Sequence, residues 1–145
     1  MKRQKREGGQ GLVEFALILP ILLLTVLLFI HFAQLFHTWS GLQAGAVAGA
    51  RHVSDTGSLN GVENVVKETL EAQLVDSSDV RIKAQVLNPD GSPKHCFIHP
   101  CPVEFGDLVV VEVVKPYNIR VLGWRAEGKL PASHRVRAQH GAWTP

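Results

Sequence analysis

A chain of 145 residues with a formal net charge of +2 leaves room for one small soluble core beside any membrane segment. So small a net charge makes no electrostatic case for nucleic acid as a partner. The hydrophobic content, 46%, is concentrated near the N-terminus, and the remainder has ordinary soluble composition.

The chain opens on a basic leader, residues 1–9, in which Lys2, Arg3, Lys5 and Arg6 are opposed only by Glu7. Gly8, Gly9 and Gly11 surround Gln10, so this backbone is expected to be open and poor in helix, as a protease substrate must be. Helical pattern starts near Leu12. Residues 15–36 are apolar apart from Thr25, His31 and Gln34, with Pro20 inside the run. As a helix this run spans roughly 33 Å, against a bilayer core of about 30 Å. Glu14 stands just inside its edge, and no charge follows until Arg51. A lone carboxylate in an apolar helix is disfavoured unless it is protonated or paired, so Glu14 is read as waiting for a partner. The asymmetry of Lys and Arg about the run places the N-terminus in the cytoplasm and the rest outside it. A secretory signal peptide fits poorly: the apolar run is too long, and Ala44-Gly45-Ala46 comes well after it.

The helix is expected to continue past Trp39, a headgroup-level anchor, giving one long helix over residues 10–53. Gly41, Gly45 and Gly49 fall four apart and line one face with residues lacking side chains, so another helix can approach closely. Residues 54–145 form the head outside the membrane. Ser54 to Ser58 breaks the helix. Asn60 with Glu63 three residues on resembles a capping box. Val62, Val65, Val66, Thr69, Leu70 and Leu74 then recur at helical spacing, predicting a second, amphipathic helix of about fifteen residues. Val80 to Leu87 alternates as a strand, Asn88-Pro89-Asp90-Gly91 is a turn, and Leu108 to Val114 suits a central strand that Pro116 ends. Val121, Leu122 and Trp124 are expected to pack down, and residues 134–140 to form an edge strand. The fold expected is α+β: a long N-terminal transmembrane helix, a short amphipathic helix and an antiparallel sheet of three to four strands.

Chemistry is sparse. His95-Cys96-Phe97-Ile98-His99-Pro100-Cys101 gathers soft ligands, but adjacent His95 and Cys96 seldom close on one tetrahedral ion. In an oxidising compartment a Cys96–Cys101 disulfide is favoured over free thiols or a metal site. No serine has a nucleophile-elbow context, and there is no phosphate loop or paired-carboxylate pattern. Arg135 and Arg137 read as a solvated edge face. No catalytic residue, metal or cofactor is expected.

Gly9, then Gln10-Gly11-Leu12-Val13-Glu14-Phe15 and Ala16-Leu17-Ile18-Leu19-Pro20, resembles the TadE-like family, the minor pseudopilins of tight-adherence pili and relatives of type IV pilins. Residues 42–51, ending in Gly-Ala-Arg, and Gly106 to Val111 running on to Lys115-Pro116-Tyr117 are similar to further segments of that family. The chain departs from it at His31-Phe32, where the family often carries an acid. The resemblance implies a processing site formed by Gly9, Gln10, Glu14 and Phe15. A membrane prepilin peptidase would cut after Gly9 and leave Glu14 as the fifth residue of the mature chain. It also implies a non-enzymatic subunit whose partners are that peptidase, other pilin or pseudopilin subunits, inner-membrane pilus assembly proteins and membrane lipid. Two other readings stay open: an uncleaved single-pass protein with an outer binding domain, and a membrane-tethered metal-binding or redox protein using Cys96 and Cys101.

Overall fold

The computed structural model describes residues 8–94, 102–121 and 123–139. The chain divides into two units, Met1–His37 and Thr38–Pro145, and helix α1 (Gly8–Thr56) contributes residues to both. The second unit adds helix α2 (Val62–Ala72) and strands β1 (Arg81–Leu87), β2 (Leu108–Val121) and β3 (Trp124–Arg137). The class is the expected α+β, with a long apolar helix, a short second helix and a three-stranded antiparallel sheet.

Helix α1 starts earlier and ends later than its sequence pattern suggests. It is helical from Gly8, so the glycines around Gln10 do not hold the backbone open. A glycine costs a helix about 1 kcal/mol, yet extending a helix already nucleated by the apolar run adds a hydrogen bond with each residue fixed. At the other end Ser54 and Asp55 remain helical. The Thr56 hydroxyl donates to the His52 carbonyl at 2.7 Å. Gly57 then takes φ 65°, and its N–H closes on the Val53 carbonyl at 2.9 Å. Glycine at this left-handed stop is the usual end of a helix.

Helix α2 is shorter than expected, and the Asn60–Glu63 capping box does not form. Gly61 is the N-cap, in the left-handed region at φ 81°, with no side-chain cap. The Asn60 carbonyl is instead 3.0 Å from Nε2 of His52, and Glu63 pairs with Lys67 at 2.6 Å. At the C-terminus the Leu74 N–H donates to Glu71 O and the Val75 N–H to Leu70 O, both at 2.9 Å. This pair of bonds is a Schellman stop, with buried Val75 and Leu70 as its apolar contact. The left-handed residue at its centre is Leu74, at φ 57°, where glycine is the usual choice. Leu74 therefore leaves the apolar stripe that its spacing suggested and stands 91% exposed.

The sheet order is β1-β2-β3, so β2 is central and the segment around residues 134–137 lies on an edge. β2 does not stop at Pro116. Its pairing with β1 ends at Arg81↔Val114, and from there to Val121 it pairs only with β3. A residue without an N–H is tolerated where one side of the strand has no neighbour. Opposite Tyr117 stands Gly128, and a Cβ there would come within 2.5 Å of the Tyr117 ring. The tyrosine thus covers the space that glycine leaves. Trp124, expected to pack down, begins β3 and is 84% exposed.

Register sorts the sheet into two faces. Ile82, Ala84 and Val86 align with Val113, Val111 and Val109, which align with Ala132, His134 and Val136. This inner face joins Leu42, Ala46, Ala50 and Val53 of α1 and Val62, Val66 and Leu70 of α2 in one core. Each fully buried valine or leucine contributes roughly 1.5–3 kcal/mol, so this core outweighs the cost of the glycines that let the helices meet.

Candidate functional site

Two places carry features that sequence reading singled out, a third does not, and the three are built from different physics. The first is the N-terminal half of α1. Among the described residues it belongs to the one helix long and apolar enough to cross a membrane. Leu12, Phe15, Ile21, Phe29 and Phe36 each expose more than half their surface. Such side chains facing outward need an apolar solvent or an apolar partner. The polar members differ in how they are satisfied. The Thr25 hydroxyl donates to the Ile21 carbonyl at 2.8 Å, a bond made within the helix as lipid requires. His31 is half-buried, and its Nδ1 is buried without a hydrogen-bond partner. Gln10 and Glu14 are four residues apart in one helix, about one turn from each other along it. Glu14 and Phe15 are exposed.

The glycine face is the second place. Gly41, Gly45 and Gly49 are all buried, but the surface that covers them comes from this chain's own head. A Cβ on Gly49 would lie 2.7 Å from Cγ2 of Val66 and 3.3 Å from Cγ1 of Val111. On Gly45 it would lie 3.3 Å from Val66, and on Gly41 2.6 Å from Val75. The close approach predicted by the four-residue spacing is made to α2 and β2, and the spacing alone could not say whose side chains would fill it.

Polar clips that close the head are the third place. Asp107, buried at the start of β2, accepts from the Lys94 ammonium at 2.6 Å and from the Glu104 N–H at 2.8 Å. Burial alone would lower Lys94. Its hydrogen bonds to Asp107 and Glu104 and their charges outweigh that, and the ammonium is held above the ordinary lysine range. Buried Ser54 donates to the Arg137 carbonyl at 3.4 Å and accepts from the Gln139 N–H at 3.3 Å, tying the end of α1 to the end of β3. Asp76 is held below the usual carboxylate range by hydrogen bonds from the Ser78 N–H and hydroxyl, and then by the charge of Lys115. Sequence reading passed over these residues because the bonds from Ser54 to Arg137, Lys94 to Asp107 and Lys115 to Asp76 join segments apart in the chain.

Cys96 and Cys101, with His95 and His99, lie outside the described residues. Among the described residues no cluster of three or more His, Cys, Asp or Glu side chains could hold a metal ion.

A family model described as TadE-like protein matches residues 9–51. The match begins at Gly9, takes in Glu14 and the whole apolar run, and ends at Arg51, just past the glycine face. The strand segment running to Tyr117 lies beyond it. No curated protein and no solved structure matches the chain. Over residues 9–51 the chain is similar to TadE-like proteins, and that segment lies within its long helix.

Proposed function

We propose that this chain is a minor pilin-like subunit of a tight-adherence pilus or of its assembly machinery, structural rather than enzymatic. It is inserted with its leader in the cytoplasm and its head outside, and a prepilin peptidase cuts it between Gly9 and Gln10. The observation that carries the reading is the start of the family match at Gly9, six residues before Phe15 and the apolar run, with Glu14 as the lone acid. Cleavage creates an amine at Gln10. In an assembly with other pilin or pseudopilin subunits, Glu14 of one subunit pairs with that amine on its neighbour. The pairing sets the axial register of helices packed in an apolar bundle and reduces the cost of burying both charges. The inner-membrane assembly proteins and the lipid around α1 complete the set of partners.

Two variants test this reading. Gly9→Leu should stay uncleaved, because the residue before the cut no longer fits a site built for glycine. Glu14→Leu should insert and still be processed, but should lose co-purification with partner subunits, with Glu14→Gln intermediate. Normal partner recovery by Glu14→Leu would sink the pairing, and normal processing of Gly9→Leu would sink the cleavage assignment.

A further inference from the structure

We propose that the head associates head to tail with a second copy of this chain: the outer face of the sheet in one copy receives Leu74 and the acidic side of α2 from the next. The proposal rests on the reading of the chain as an assembly subunit only for its setting; the surfaces themselves are read from the head.

The outer face follows from register. Arg81, Lys83, Lys129, Arg135 and Arg137 alternate with the inner residues of their strands, and all five are exposed. Glu112 lies among them on β2, and Glu127, paired to Arg125, stands on the same face farther along β3. Among the described residues none of the five cations makes an ion pair with a neighbour inside the face. Down the middle of the face run half-buried Leu108, Val110 and Val114 of β2. One part of the face is a shallow concavity of about 390 Å³, lined by Arg81, Lys83, Glu112, Val114, Lys129 and Pro131. An apolar centre with a charged rim is the usual layout of a protein interface.

Helix α2 packs on the inner side of the sheet, so its solvent side lies across the head from the basic face. That side carries exposed Glu63, Glu68 and Glu71, with Lys67 among them paired to Glu63. At its end Leu74 projects in a left-handed conformation that costs a leucine and would suit a glycine. A residue that the fold itself disfavours, almost wholly exposed, is explained by a contact outside the head. Leu74 is an apolar knob beside carboxylates, and the concavity sets Val114 and Pro131 among three cations and the single carboxylate of Glu112. The two surfaces are complementary in charge and lie on different sides of one molecule. Association between them is therefore heterologous and leaves both ends open, which is how a chain of subunits grows. Acids beside Leu74 also weigh against anionic lipid as the occupant of this end.

The test uses the full-length chain in detergent micelles. Uniformly nitrogen-15-labelled and unlabelled protein are mixed in equal amounts and treated with a zero-length carboxylate-to-amine crosslinker. Mixed-isotope peptides report links between copies. The expected links join Glu68 or Glu71 to Lys83 or Lys129. Their absence, or links between copies confined to other surfaces, overturns the proposal. Glu68→Lys with Glu71→Lys in one copy should lower crosslinking of the remaining Glu63 to a wild-type partner on the order of tenfold. Arg81→Glu with Arg135→Glu in the other copy should restore it; failure of that rescue in folded proteins counts against the pairing. Leu74→Gly should keep or raise the melting temperature while reducing the Glu–Lys links, and unchanged links would remove Leu74 from the interface. Processing at Gln10 does not depend on these residues. A chain that is cleaved normally but gives no such links contradicts this inference and leaves the subunit reading intact.

Discussion

Leu74 occupies the position where a helix stop of this kind ordinarily has glycine. Holding an L-residue in the left-handed region costs roughly 1–2 kcal/mol. Glycine would return that strain but lose about 0.5–1 kcal/mol of unfolded-chain entropy. Leu74→Gly is therefore expected to stabilise the head by about 0.5–1 kcal/mol, read from thermal unfolding. At Asp107 the expectation runs the other way. Its side chain is 3% exposed and its partner Lys94 15% exposed. Asp107→Ala removes the buried carboxylate and leaves the largely buried ammonium to the exposed Glu104 and to weaker contacts such as the Pro102 carbonyl at 3.3 Å, and should cost about 3 kcal/mol, the low end for a broken buried pair. The pair also sets a pH dependence. Lys94 is raised in the folded state above the ordinary lysine value of 10.5, so its contribution is fully present below about that pH and is lost as pH rises through the higher folded value. Asp76 and Asp90 are lowered from 3.8, so what they contribute is present above that pH and is lost as pH falls through their folded values. The alkaline decline in unfolding temperature should flatten in Lys94→Met, and the acid decline should persist.

Among the elements, the glycines of α1 differ by what stands over them. An alanine at Gly49 would meet Val66 at 2.7 Å and Val111 at 3.3 Å, both fully buried, so neither can give way. Gly49→Ala should cost about 1–3 kcal/mol from overpacking, more than the roughly 1 kcal/mol of helix propensity it gains. At Gly45 the nearest atom is 3.3 Å away, and the propensity gain should nearly cancel the crowding. Melting temperatures of the two variants, ranked with Gly49→Ala well below Gly45→Ala, check this. The same elements show what could be read beforehand. Four-residue glycine spacing announced a close helix contact, and the alternation of β1 announced a strand. Neither pattern names a partner across the fold, so the covering of the glycines by Val66 and the gathering of Arg81, Lys83, Lys129, Arg135 and Arg137 on one face appeared only with the register. Pro116 misled because its effect depends on whether a strand stands beside it, and β1 has already ended there.

At the level of the whole molecule the two units ask for different surroundings. The first exposes its leucines and phenylalanines, and the second buries its valines and shows water a charged surface. That division was legible in the sequence because composition changes abruptly after residue 36. The proposed processing site rests on a local signature of glycine, acid and apolar run, whereas the head's clips at Ser54 and Asp107 reach across the chain to Arg137 and Lys94 and left no local mark. The central claim is that this chain is a peptidase-processed subunit, and the N-terminus of the mature protein bears on it most directly. The chain should be expressed in its own host, extracted from the membrane and sequenced from the N-terminus, with and without the prepilin peptidase. The account predicts a new N-terminus at Gln10 that depends on the peptidase. A chain that still begins with the basic leader when the peptidase is active, or one cut elsewhere, would contradict it.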